Sequence, residues 1–168
     1  MRIRIWLLIL SFALATLLII GCSTTQGGGF NLFTPEQDLE LGRQTEAQIA
    51  ANPDQFPILP ERGNEELYRY VRGLATKILN TGKVSYRDQF AWEIKIIDAP
   101  ETLNAFCTPG GFIYVYTGII KFLDSEDQLA GVMGHEIAHA ALRHSTRQMT
   151  KTYGISALTA IVTGNSNP

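Results

Sequence analysis

Between Leu129 and Leu142 the chain reads LAGVMGHEIAHAAL, and in those fourteen positions only His135, Glu136 and His139 are polar. Ser125 stands ahead of the stretch as an N-cap, with Glu126 and Asp127 in the first turn and Gln128 at the capping-box position, so a long helix is predicted. A helix apolar nearly all round is a buried helix. Burying a carboxylate and two imidazoles without partners would cost on the order of 2 kcal/mol or more for each group. Any fold the chain adopts must therefore give these three side chains partners, and a cation suits all of them.

The spacing agrees. At roughly 100° per residue, His135 and His139 fall about 40° apart on one face, one turn above the other. Two imidazole nitrogens so placed can reach one ion at about 2 Å. Glu136 lies on the same side, roughly 60° from His139, where it can face a water on the ion rather than the ion itself. Zinc lowers the pKa of such a water toward about 7, and a neighbouring carboxylate can take its proton for attack on a peptide carbonyl. His135 and His139 are thus candidate zinc ligands, one Zn2+ per chain, and Glu136 is the candidate catalytic base. Gly131 and Gly134 each cost roughly 1 kcal/mol in a helix. Close approach of a neighbouring strand, or the site itself, would explain both.

His144 stands outside this set. On a continuous helix it lies about 140° from His139, away from the metal face, and it reads as a polar group near the helix C-terminus. The longer pattern H-E-x-x-H-x-x-G-x-x-H fails, because Leu142 and Ser145 occupy its last two fixed positions.

At 168 residues the chain has room for one ordinary domain. Its start is set apart: MRIRIWLLILSFALATLLIIGC has basic Arg2 and Arg4, an apolar run from Ile5 to Ile20, then Gly21 and Cys22. That is the pattern of a secretory signal, a little short for a membrane span. IIGC resembles a bacterial lipobox, which implies that Cys22 is lipidated and becomes the mature N-terminus. An uncleaved anchor or ordinary cleavage nearby are the alternatives. The expected layout is a lipoprotein signal peptide over 1–21, a flexible glycine-rich tether over 22–33 and a domain over 34–168. Without Arg2 and Arg4 the 14 basic residues fall to 12 against 16 acidic ones, a net of −4, so no nucleic-acid partner is expected. With Cys22 acylated, Cys107 has no disulfide partner and reads as a small buried hydrophobe.

Along the domain, Thr34, Pro35 and Gln37 announce a helix with a capping box. Residues 52–63 are a proline-rich loop. A second helix runs from an Asn64 cap, with Leu67, Val71, Leu74 and Ile78 on one apolar face. FAWEIKIIDAP (90–100) alternates as a strand, and Pro109-Gly110-Gly111 turns into a second strand over 112–117, a hairpin. The fold class is α+β, a small sheet with a hairpin packed on the buried H-E-x-x-H helix.

NAFCTPGGFIYVYTGII (104–120) and SEDQLAGVMGHEIAHAALRHS (125–145) together resemble the HtpX-like and CAAX-prenyl-protease family of zinc metallopeptidases, and the lipobox points to its bacterial lipoprotein branch. The resemblance implies a zincin-like fold and proteolysis of cell-envelope proteins, misfolded or mis-assembled ones included. It also implies a periplasm-facing lipid anchor, with Ser23 favouring the outer membrane. Phe112, Ile113, Tyr114, Val115 and Tyr116 would be the edge strand to which an extended substrate adds. Cys107 departs from the alanine usual in the family. The family's third ligand is a glutamate on a later helix in a Glu-x-x-x-Asp pattern, yet residues 146–168 contain no Asp, Glu, His or Cys. Asp98, Glu101 and Asp124 could stand in without motif support. The expectation is the N-terminal part of a longer protease, binding zinc weakly and cleaving little as it stands, with 155–162 an apolar helix lacking its cover. The alternative is a non-catalytic lipoprotein that binds envelope proteins as a chaperone or assembly adaptor.

Overall fold

The structure, a computed structural model, describes residues 30–163. Helix α1 (Pro35–Ala50) opens on Thr34, whose hydroxyl accepts from the Gln37 amide while the Gln37 side chain accepts from the Thr34 amide at 2.8 Å. The capping box is formed as the sequence announces. Helix α2 (Glu65–Leu79) begins where expected, but Asn64 does not cap it. The Asn64 side chain instead donates its Nδ2 back to the Pro60 carbonyl at 2.8 Å, and the Glu65 carboxylate accepts from the Gly63 main-chain amide at 2.9 Å. The buried face of α2 is Tyr68, Val71, Leu74 and Ala75, with Leu67 and Ile78 at its margin. Tyr68 is there because its hydroxyl has two partners, donating to the Leu59 carbonyl and accepting from the Ile96 amide.

Three strands form one sheet: β1 (Glu93–Ile97), β2 (Ala105–Thr108) and β3 (Phe112–Tyr116), in the order β1-β3-β2. The hairpin turn falls where expected, but the strand it joins to β3 is β2, a strand not expected from the sequence; Gly110 and Gly111 close it at φ +77° and +86°, a region that glycine enters freely. Strand β3 stops one residue short of the expected 117 because Thr117 starts helix α3 (Thr117–Phe122). The expectation that Phe112, Ile113, Tyr114, Val115 and Tyr116 form an edge does not hold. β1 pairs with β3 in parallel on one side, β2 antiparallel on the other, and all five residues are buried. A five-residue apolar run with no polar alternation suits a strand covered on both faces.

The sheet lies between two helical layers. Ile94, Ile96, Ile113 and Val115 meet α2 and the motif helix α4 (Glu126–Ala141) through Leu129, Met133 and Ile137. Ile97, Phe112, Tyr114 and Tyr116 meet α1 through Ile49, with Leu39, Phe56 and Ile58 alongside. Helix α1 crosses the hairpin turn so closely that a Cβ at Gly42 would collide with the Pro109 carbonyl and the Phe112 ring. The α+β class holds.

Helix α4 is not buried all round. Leu129, Met133, Ile137, Ala140 and Ala141 face inward, whereas Gly131, His135 and Ala138 are exposed. Its outer residues are small, so an apolar string of letters leaves little apolar area in solvent. No neighbour presses on Gly131 or Gly134 among the described residues: a Cβ at either meets nothing within 4 Å.

The last helix, α5 (His144–Thr163), is strapped by the chain's first described residues. Asn31 donates to Thr146 and accepts from Thr150, each at 3.0 Å, and the Leu32 amide donates to Thr150 at 2.9 Å. Residues 31–33 of the expected tether are therefore fastened to the domain rather than free. The signal segment 1–21, Cys22 and the tether's residues up to 29 lie outside the described residues, as do the side chains that would test the apolar surface of 155–162.

Candidate active site

Helix α4 takes its Ser125 cap and its Gln128, although the Gln128 side chain accepts from the Asp124 amide rather than from Ser125. At its other end, near the C-terminus expected around His144, the chain breaks at Arg143, which sits at φ +56° with no glycine to mark the turn. The Leu142 and Arg143 amides donate to the Ala138 and Ala140 carbonyls, closing the last turn. A non-glycine residue in this left-handed conformation costs about 1–2 kcal/mol. The Arg143 side chain explains how the position tolerates it. Its Nε donates to Asp38 Oδ2 at 2.6 Å, and its Nη2 donates to Asp38 Oδ1 at 3.1 Å and to the Phe33 carbonyl at 2.6 Å. Asp38 is 1% exposed. The carboxylate of Asp38, above all through these bonds, raises the Arg143 pKa above its ordinary value.

That break decides where His144 goes. It does not continue around α4 but opens α5 and folds back, its Nδ1 2.9 Å from Nδ1 of His139 and the ring centroids 4.7 Å apart. On an unbroken helix His144 points away from the metal face, as the spacing predicts; the break at Arg143 turns it back toward His139 instead. Desolvation first, then repulsion by His139 and Arg147, lowers the His144 pKa and favours its neutral ring.

The motif residues themselves fall as the spacing requires. His135 and His139 face each other through their Nε2 atoms at 2.9 Å, with the rings inclined at 64°. Two nitrogens this close can both reach an ion at about 2.0–2.1 Å, so the pair fits zinc. His144 is not a third donor to that point. It addresses the opposite nitrogen of His139, so the three rings form a row rather than a cage. Among the described residues no group of three or more His, Cys, Asp or Glu is placed to hold a metal, so Asp98, Glu101 and Asp124 do not complete the pair. His135 is exposed, and Glu136 and His139 are half-buried, so solvent rather than a metal already meets part of the burial cost expected from sequence.

Strand β2 lies against α4 beside the motif. The Asn104 carbonyl accepts from the Tyr116 amide at 3.1 Å, so the alternation of an antiparallel ladder turns Phe106 and Thr108 toward β3. The main-chain groups of Ala105 and Cys107 then point away from it. Cys107 is free, half-buried and packed on the core, close to its expected role. Burial first, and then the charge of Glu136, pushes its thiol up to about 12. Glu136 therefore lies near β2.

Comparison with known protein families matches residues 61–167 to Peptidase family M48. The chain belongs to peptidase family M48. The family implies a metal, typically zinc. The M48 chain is 35% identical over 78 residues to the mitochondrial metalloendopeptidase OMA1 of Arabidopsis thaliana, covering 46% of this chain and 16% of that protein. Against the mitochondrial metalloendopeptidase OMA1 of Saccharomyces cerevisiae it is 34% identical over 112 residues, 66% of this chain and 31% of the relative. The metalloprotease YcaL of Escherichia coli is 24% identical over 171 residues, 95% of this chain and 63% of YcaL. The M48 chain thus spans less than two thirds of the length of each of these relatives.

Three residues that shape this M48 site escaped the sequence: Asp38, Arg143 and His144. Asp38 reads as an ordinary first-turn acid, and its partner is distant in the chain. The helix break carries no glycine to mark it.

Proposed function

We propose that the chain forms the core of a zinc-dependent endopeptidase that hydrolyses peptide bonds of cell-envelope proteins, misfolded or mis-assembled ones included. The observation that carries this is the opposed Nε2 pair of His135 and His139 at 2.9 Å, with Glu136 directly after His135 on the same helix. His135 and His139 would hold the metal. When bound, zinc would supply Lewis acidity toward the substrate carbonyl and toward water. Glu136 would take the proton of the attacking water and return it to the leaving amine. The outward main-chain groups of Ala105 and Cys107 on β2 would hold an extended peptide beside α4, in place of the β3 edge expected from sequence. Lipidation at Cys22 and a periplasm-facing anchor, with the outer membrane favoured by Ser23, rest on the IIGC stretch alone.

The test is zinc content and casein hydrolysis measured on the same preparations. The proposal expects one zinc per chain, lost in His135→Ala and in His139→Ala. Whatever hydrolysis the chain shows, expected to be slight with two ligands, should vanish in Glu136→Gln while the zinc stays. Zinc retained by both histidine variants, or hydrolysis that survives Glu136→Gln, would contradict it.

One observation favours a second reading, a lipoprotein that binds envelope proteins without cleaving them: among the described residues only two donors, His135 and His139 Nε2, converge on one point. That reading expects suppression of client aggregation without hydrolysis, unchanged by Glu136→Gln.

A further inference from the structure

We propose that His144 is a positioning residue for His139, fixing its tautomer and its ring so that Nε2 is presented toward Nε2 of His135. The inference rests on the metal reading of the His135–His139 pair.

A neutral imidazole carries one proton, and the nitrogen that binds a metal must be the other one. For His139 to offer Nε2, its proton has to sit on Nδ1. Left to itself in water, a neutral histidine ring favours the proton on Nε2, which is the wrong nitrogen here. A metal-ligating histidine is therefore held by an acceptor at its second nitrogen, commonly a carboxylate, a main-chain carbonyl or water. In this chain the group at His139 Nδ1 is the Nδ1 of His144, 2.9 Å away. Two ring nitrogens at that distance share one proton. With His139 as donor, His144 accepts through its Nδ1 lone pair and keeps its own proton on Nε2.

The backbone on both sides of His144, itself exposed, is fixed by the fold. Arg143, in the left-handed turn directly before it, is anchored to buried Asp38 and to the Phe33 carbonyl. Two residues after it, Thr146 is buried and bonded to Asn31. The α1 terminus and the 31–33 strap thus fix both flanks of His144, and through it one ring of the pair.

The experiment compares the full chain with His144→Ala and His144→Asn. Asparagine can put its amide oxygen close to where Nδ1 stands and accept the same hydrogen bond. Long-range nitrogen–proton NMR of the imidazoles reads the His139 tautomer without any metal, and competition with a chromogenic chelator reads affinity for zinc alone. The expected result is a His139 proton on Nδ1 in the parent chain and a shift toward Nε2 in His144→Ala. Zinc affinity should fall about 10–100-fold in that variant. His144→Asn should restore both. An unchanged tautomer and affinity in His144→Ala would overturn the proposal, and so would a folded His144→Asn that behaves like alanine. Failure of the parent chain to bind zinc would instead contradict the metal reading, and the tautomer arm would still decide whether His144 sets the ring.

Discussion

Arg143 reaches across 105 residues of sequence to Asp38, its Nε donating to Oδ2 at 2.6 Å and its Nη2 to Oδ1 at 3.1 Å. Both groups are buried, and the pair holds the turn that separates the motif helix from α5. Removing one partner of a buried ion pair leaves the other charge uncompensated, at a cost of about 3–5 kcal/mol. Asp38→Ala is therefore expected to lower stability by about that amount in urea titration. A loss under about 1 kcal/mol, the scale of an exposed pair, would show that the contact does not anchor the turn.

Two glycines on helices from opposite layers should respond in opposite directions. At Gly131 a Cβ meets open space, so Gly131→Ala should gain roughly 1 kcal/mol from helix propensity alone. At Gly42 a Cβ collides with the Pro109 carbonyl and the Phe112 ring, so Gly42→Ala should lose about 1–3 kcal/mol as α1 is pushed off the hairpin. Thermal melts of the two variants check both signs. A stabilised Gly42→Ala would mean that α1 does not approach the turn as described.

Cys107 should be a poor nucleophile in the native chain. Its thiol is pushed up to about 12, so near pH 8 it is almost wholly protonated, and the thiolate that reacts with iodoacetamide is scarce. Peptide mapping should find Cys107 unmodified under native conditions and alkylated after denaturation. Rapid native alkylation at pH 8 would contradict the packing of Cys107 on the core and its raised thiol pKa.

Local signals carried far in this sequence. The Thr34–Gln37 box, the Ser125 cap, the hairpin at Pro109-Gly110-Gly111 and the one-face spacing of His135 and His139 are all set within a few residues, and each is found where it was read. What escaped depends on partners distant in the chain. β3 was expected at an edge, although its unbroken FIYVY suits a strand with neighbours on both sides, and only the pairing with β1 settles it. The spacing alone puts His144 on a continuous helix, because an arginine in a left-handed turn carries no sequence mark and the Asp38 that holds it there lies in another helix. The polar residues of α4 were expected in a dry core because small outer residues such as Gly131 and Ala138 read as apolar whether or not anything covers them.

X-ray absorption at the zinc edge of the metal-loaded full chain tests the central claim most directly. The account predicts two imidazole nitrogens at about 2.0–2.1 Å in the parent protein and loss of one of them in His139→Ala. A zinc shell free of imidazole, or one that His139→Ala leaves unchanged, would show that the facing pair of His135 and His139 is not the metal centre.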